Sequence, residues 1–366
     1  GALIGWRTLQ GMGGGLLIPI GQTLTYQLYR SHERAGLSAA IMLVGLLAPA
    51  LSPALGGWLV DRLDWRWVFF ANLPLAALAL ALAALWLRAE TPTAARKPLD
   101  ATGLLSACAA LTLLLLGLTR LSEAGHQASG AALLATGLLV LAYYLRHSLR
   151  TPQPLLNLRL VADPLLRNAM AVYLCIPGLF IGVSLVAMLY LQNQLGMPAA
   201  QVGGLMLPWA LASFLAITLT GKSFNRLGPR PLLIAGCLLQ GAGMLTLAQI
   251  DLAGQHALQI AAFALMGFGG SLCSSTAQSS AFLQIPDGQL ADASALWNIN
   301  RQLSFCLGVA LLSLLLNLLL AVLPPAAAYR TSFILAGASV FIPLLLCLRL
   351  ANRAIVRQLN AQQDAL

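Results

Sequence analysis

The sequence predicts an all-α polytopic membrane protein, and three observations carry that prediction. Of its 366 residues 59% are hydrophobic and only 9% are charged, against about 25% charged in soluble domains, so charge is too scarce to cover a water-facing surface. Apolar runs of about 20 residues recur along the chain, the length that takes a helix across the hydrocarbon core of a bilayer. The strict alternation of a membrane barrel strand is absent, which leaves helices to satisfy the backbone.

In order, the apolar runs lie near 1–25, 36–60, 67–87, 101–119, 130–147, 168–192, 203–221, 231–250, 257–283, 293–322 and 331–350, about eleven spans. The loops between them alternate in charge. One set carries Arg30 and Arg34; Arg88, Arg96 and Lys97; Arg146, Arg150, Arg159 and Arg167; Lys222, Arg226 and Arg230; Arg301; and the tail Arg349, Arg353 and Arg357. The other set carries only Arg62, Arg66, Arg120 and Arg330. The positive-inside rule places the first set, and the C-terminus, in the cytoplasm of a bacterial inner membrane, with the start of the chain outside.

The net charge of +10 raises nucleic acid as a partner. The basic residues are scattered in loops with no basic, aromatic-interleaved patch, which excludes it. The cysteines all fall in apolar runs without CxxC spacing, and the four histidines lie in or beside loops without a neighbouring ligand. No metal site or cofactor is expected, and no cluster suited to an enzyme stands at membrane depth.

Two loops divide the chain. The stretch LRAETPTAARKPLD (87–100) reads as a flexible linker, and RHSLRTPQPLLNLRLVADPLLRN (146–168) is longer and carries three prolines. Between them lie two plain spans. The expected organisation is therefore 1–90 as part of a first bundle, 91–150 as linker and inserted two-span hairpin, and 151–366 as a second, six-span bundle with a cytoplasmic tail.

Within the first run, Arg7, Gln10 and Gly14 stand at i, i+3 and i+7 and share a helix face. Two accounts stand for Arg7: a polar face with a small-residue groove behind it, or a guanidinium that snorkels to the outer interface. The next run holds Gly45-LLA-Pro49-AL-Ser52-Pro53-AL-Gly56-Gly57. Its prolines and glycines at four-residue spacing predict a kinked helix with one smooth face, suited to tight packing or to a gate. Trp65-Arg66-Trp67-Val-Phe69-Phe70 follows and suits an interfacial aromatic belt.

Arg-x-x-Gln-Gly, the Gly/Pro-rich span and WRWVFFANLP, in that order, resemble the major facilitator superfamily, and more narrowly its fourteen-span drug:proton antiporters of the EmrB/QacA type. The resemblance covers essentially the whole chain. It implies two helical bundles around a central cavity, a two-span central insert, and three absent N-terminal spans. The chain also starts without Met inside an apolar run, which reads as a fragment. Arg7–Gly14 matches the family's fourth-span motif and implies a proton/substrate relay at Arg7 and Gln10. Gly45–Gly57 matches the antiporter motif of the fifth span, with Ser52 where the family usually has Gly. Gly221-KSF-Asn225-Arg226-L-Gly228-PR is similar to the superfamily's cytoplasmic Gly-x-x-x-Asp-Arg-x-Gly loop, with Asn225 in place of the acid; a plain basic turn accounts for it equally.

Polar stripes mark two later spans. Ser271, Ser274, Ser275 and Gln278 stand at i, i+3, i+4 and i+7, and Ser294, Trp297, Asn298 and Arg301 repeat the spacing. In lipid such stripes face a cavity or hydrogen-bond to another helix. Tyr173, Phe180, Tyr190 and Trp209 are candidates for an apolar pocket, with ordinary packing as the plainer account. All eleven acids fall in loops or at helix ends; in the resembled family an acid in the first span carries the proton.

The expected activity is proton-driven export of hydrophobic or amphipathic compounds by alternating access, with protons, a small substrate and the bilayer as partners and room for a periplasmic adaptor. A non-transporting remnant or scaffold, or an exporter of one metabolite, is the alternative.

Overall fold

The computed structural model of the chain describes residues 2–30, 33–46, 66–86, 99–122, 125–348, 350, 352, 355–357 and 359. The described residues are helical and contain no strand. The chain divides into two compact units, 1–43 with 100–366, and 44–99. The three-part division expected above follows topology, whereas these units follow contact: the first helices pack on the last ones.

In the first unit, α1 (Ala2–Gln27) leads into α2 (Arg34–Leu46), whose last turn belongs to the second unit. The second unit holds α3 (Trp67–Phe70) and α4 (Asn72–Trp86). α4 buries none of its side chains, as suits a helix that is apolar after Asn72 and whose solvent is lipid. The hairpin α5 (Ala101–Ser122) and α6 (Gln127–Arg150) follows. Then come α7 (Pro164–Asn193), α8 (Ala199–Gly204), α9 (Met206–Leu227), α10 (Pro229–Leu247), α11 (His256–Ala281), α12 (Leu290–Leu320), α13 (Pro325–Ser339) and α14 (Phe341–Leu348). Eight helical segments among the described residues are long and apolar enough to cross a membrane, and they coincide with the eight runs read from residue 101 onward.

Two boundaries differ from the sequence reading, each for a local reason. α7 starts at Pro164, ahead of the apolar run, because proline suits the first helical position and Asp163 Oδ1 accepts the Leu166 N–H at 2.8 Å. α9 runs through Gly221 and Asn225 to Leu227, so most of the expected loop is helix. It stops where Gly228 takes φ +75° and Pro229 opens α10. Arg301, counted above with the cytoplasmic charges, lies inside α12 about three turns from its start, within the run 293–322.

Small residues let backbones meet. In α7, Pro177 removes the N–H that would bond Tyr173 O. Ser304 of α12 fills that gap: its hydroxyl reaches Tyr173 O at 2.9 Å and Leu174 O at 2.8 Å, and it accepts the Gly178 N–H at 2.9 Å. A Cβ on Gly308 would collide with Gly178 O. This contact seats α12 on α7 and so positions the polar stripe of α12 about one to three turns before it. In the hairpin, a Cβ on Gly130 would lie 2.5 Å from Leu121 N, and α5 in turn packs on α12.

Candidate functional site

α1 carries Gln22 and Tyr26 four residues apart, hence on one face near its end. Both are buried, and Tyr26 is wholly enclosed. A buried phenol needs a partner. Tyr26 Oη lies 2.6 Å from Ser38 Oγ of α2 and accepts from Gln22 Nε2 and from Gln278 Nε2 of α11, both at 3.4 Å. Gln22 Oε1 accepts from Asn298 Nδ2 of α12 at 2.9 Å. Four helices from opposite ends of the sequence thus share one hydrogen-bonded knot.

Arg34 closes it. It opens α2 yet is only 3% exposed. Its Nη1 donates to Phe282 O at 3.2 Å and Ile285 O at 3.3 Å, the carbonyls just past the end of α11. A helix C-terminus leaves carbonyls without intrahelical partners and carries partial negative charge, so a guanidinium satisfies both needs there. Aromatic rings continue the contact, Tyr26 to Phe282 at 4.7 Å, Phe282 to Trp297 at 5.9 Å, and Trp297 to Tyr173 at 4.7 Å between centroids. Gly221 of α9 joins from the side: a Cβ there would lie 3.0 Å from Ala39 Cβ of α2.

The structure sorts the expected site residues. Gln278, Trp297 and Asn298 stand in the knot. Ser274 turns back on its own helix, donating to Gly270 O at 2.7 Å. Ser275 and Ser294 are fully buried, and their hydroxyls meet no partner among the described residues. Ser271 and Arg301 are half-buried. Arg7 and Gln10 do share a face, since Arg7 Nη1 donates to Gln10 Oε1 at 3.0 Å, but the pair is exposed. It stands about 28 Å along α1 from Tyr26, so it is not brought to the stripe residues. No described atom lies within 4 Å of a Cβ built on Gly14 or on Gly45. Pro49, Ser52, Pro53, Gly56 and Gly57 lie outside the described residues.

Around the cytoplasmic-type loop, Arg226 is exposed. Gly228 is pinned by Asn352, whose Nδ2 donates to Leu227 O at 2.8 Å while its Oδ1 accepts the Arg230 N–H at 3.0 Å. Of the aromatic candidates, Phe180 and Trp209 stack at 5.3 Å. Tyr190 packs on Tyr329 and Phe333 and donates to Ile250 O at 2.7 Å, which makes it a packed corner residue.

Sequence reasoning missed Gln22, Tyr26 and Ser38, and used Arg34 only as a topology charge. Their signal was present: Gln22 and Tyr26 are polar at i, i+4 in a membrane helix, a shared face like that of Arg7 and Gln10 at i, i+3.

The Major Facilitator Superfamily description matches residues 1–309. The chain is similar to the Multidrug resistance protein B homolog of Mycobacterium tuberculosis (strain CDC 1551 / Oshkosh), 33% identical over 322 residues, which are 86% of this chain and 59% of that protein. It is similar to Drug efflux pump JefA of the same organism, 29% identical over 310 residues, 84% of this chain and 60% of that protein. The chain thus spans about three-fifths of the length of these relatives. Among solved structures, a bacterial homologue of iron transporter ferroportin in the outward-facing state matches at 14% identity, covering 94% of this chain and 89% of that one, with a TM-score of 0.41, too low to argue from.

Proposed function

Because the chain belongs to the Major Facilitator Superfamily, we propose that it is the larger part of a secondary transporter that exports hydrophobic or amphipathic small molecules by alternating access, driven by protons. The observation that carries this reading is the buried knot. Alternating access needs the early and late helices to close against each other at one end and to part again. Gln22, Tyr26, Arg34 and Ser38 meet Gln278, Phe282 and Asn298 through neutral hydrogen bonds and one guanidinium-to-carbonyl cap, contacts that water can replace when the helices separate.

The charged loops support a cytoplasmic C-terminus in a bacterial inner membrane, with the knot at the cytoplasmic end. Topology supports 1–90 and 151–366 as the two bundles, with 91–150 as linker and insert. Arg7 and Gln10 serve a polar relay, Gly45 to Gly57 a gate, and Ser271, Ser274, Ser275, Gln278, Trp297, Asn298 and Arg301 the cavity wall. The drug-resistance and efflux names of the relatives support the substrate class. The test is dye export by everted membrane vesicles containing the protein at its native length. An imposed proton gradient is expected to drive dye accumulation, and a protonophore to abolish it. Accumulation unchanged by the gradient removes proton coupling; none at all removes the transporter reading in favour of a scaffold.

A further inference from the structure

α6 packs chiefly on α5, its hairpin partner. Its buried residues, Gly130, Gly137, Tyr144 and Ser148, fall on one face. On the opposite side, about 180–240° round the helix from Gly137, stand Leu139, Tyr143, Arg146 and Arg150, all exposed. This stripe changes character along its length. From Leu139 to Arg150 it rises about 16 Å, half the thickness of a bilayer's hydrocarbon core, so it covers one leaflet. It passes from an apolar side chain, through a Tyr ring that stacks on His147 at 6.1 Å, to two cations. That order is the order of a lipid molecule: tail, interface, headgroup. A third cation joins at the head end. Arg159 folds back from the following loop, and its Nη2 donates to Leu149 O at 3.0 Å and Thr151 O at 3.3 Å, the carbonyls on either side of Arg150. Thr151 bonds His147 O through its N–H at 2.9 Å and its hydroxyl at 2.8 Å. The end of α6 is thus capped without Arg146 or Arg150, and neither bonds a carboxylate or carbonyl among the described residues. The nearby acids are engaged elsewhere: Asp100 by His147, Gly103 and Leu155, and Asp163 by the first turn of α7. Like charges gathered at one helix end repel one another, and an anion among them removes that cost.

We propose that this end of α6 holds an anionic phospholipid, with Arg146, Arg150 and Arg159 around its phosphate, Tyr143 at the level of the glycerol and Leu139 beside a tail. The guanidinium fork matches phosphate oxygens. Clustered cations at a membrane surface favour anionic over zwitterionic lipid. The site requires the membrane setting alone and does not rest on proton coupling or transport. Under the orientation proposed above, the lipid belongs to the cytoplasmic leaflet. The inserted hairpin, which contributes nothing to the buried knot, thereby gains a task of its own: it ties the protein to anionic lipid.

Native mass spectrometry of the purified native-length protein, titrated with dioleoyl phosphatidylglycerol or dioleoyl phosphatidylcholine, varies the headgroup charge at constant tails. The wild type is expected to retain phosphatidylglycerol about tenfold better or more. Arg146→Gln combined with Arg150→Gln is expected to erase most of that preference, and the paired Lys replacements to keep part of it. Both side chains are exposed, so the fold is expected to survive, and an unchanged unfolding transition checks this. Arg330→Gln removes an exposed cation of α13 outside the stripe and is expected to leave the preference intact. A loss there as large as in the double variant means that net charge alone attracts the lipid, and overturns the site. Glycerol 1-phosphate, a headgroup phosphate without tails, is expected not to displace the lipid; displacement at equal concentration overturns the lipid assignment in favour of a plain anion site. Equal retention of both lipids by the wild type, or a preference undiminished in the double Gln variant, overturns the proposal and leaves the stripe to a protein partner.

Discussion

The two ends of α1 carry nearly the same sequence signal and meet different fates. Arg7 and Gln10 are polar residues one turn apart near its start; Gln22 and Tyr26 are polar residues one turn apart near its end. The first pair bonds within itself and stays exposed. The second is buried and reaches Ser38, Gln278 and Asn298, residues up to 276 positions away. Helical periodicity states which side chains share a face. It does not state what that face meets. The lesson is about cost. An exposed polar pair can be removed with little loss of stability, whereas a buried one leaves its partners unpaired in a low-dielectric setting.

Variants that attack the buried end should therefore cost most. Arg34→Ala, at the rim of the knot, leaves the carbonyls of Phe282 and Ile285 without their charged donor. It is expected to destabilise the protein by roughly 1.5–3 kcal/mol, read as an earlier unfolding transition in detergent and faster hydrogen exchange of the backbone amides at the end of α11. A wild-type transition would mean that the cap contributes nothing to closure. Tyr26→Phe removes one hydroxyl that serves Ser38, Gln22 and Gln278 while keeping the ring on Phe282. The expected loss is about 1–2 kcal/mol, with the same increase in exchange. If Tyr26→Phe is neutral, the contrast between the two ends of α1 collapses to ring packing.

A smaller effect is expected at a third polar junction, which sharpens the comparison because it combines a local cap with a long-range pair. Asp100 Oδ1 accepts the Gly103 N–H at 2.8 Å and lies 2.9 Å from His147 Nε2, while its Oδ2 accepts the Leu155 N–H at 3.2 Å. The Gly103 bond, more than any other contact, holds its carboxyl below the ordinary 3.8, with burial opposing. A carboxylate whose pKa is depressed on folding stabilises above its ordinary value, and that contribution fades as pH falls through the folded value. Acid titration of stability should therefore stay level down to about 4 and then decline, with a shallower decline in Asp100→Asn. Identical acid limbs would remove Asp100 from the account.

The smallest stability change is expected at the exposed end of α1. Arg7→Ala should stay within about 0.5 kcal/mol of wild type in detergent. In vesicles it should nonetheless abolish proton-driven export, and Arg7→Lys should keep part of it. Normal export by Arg7→Ala would make Arg7 an interfacial anchor. A large stability loss would mean that this end is packed in solution as tightly as the other.

How much was legible can be judged from particular residues. The eight spans from residue 101 onward followed from run length alone, because membrane depth sets a minimum apolar length that few other structures need. Trp297, Asn298 and Gln278 were found because polar side chains in lipid must face something. The extension of α9 to Leu227 was hidden by polar residues that helices tolerate at a water-exposed end. Arg301 entered both the tally of loop charges and the polar stripe of the run 293–322, and α12 holds it as the stripe required. Arg34 carried no mark in the sequence beyond its charge; its role depends on carbonyls 248 and 251 residues away.

By itself the sequence determined that this chain is a helical membrane protein, where its later helices run, and which faces carry polar groups, since hydropathy, periodicity and the φ preferences of Gly and Pro act within a few residues. Only the tertiary structure decided that the end of α1 and the start of α2 close on α11 and α12, that Ser304 satisfies the carbonyl freed by Pro177, and that Asn298 reaches Gln22. Those outcomes depend on which helices become neighbours, and packing across hundreds of residues is set by shape and partner satisfaction, which no local pattern encodes.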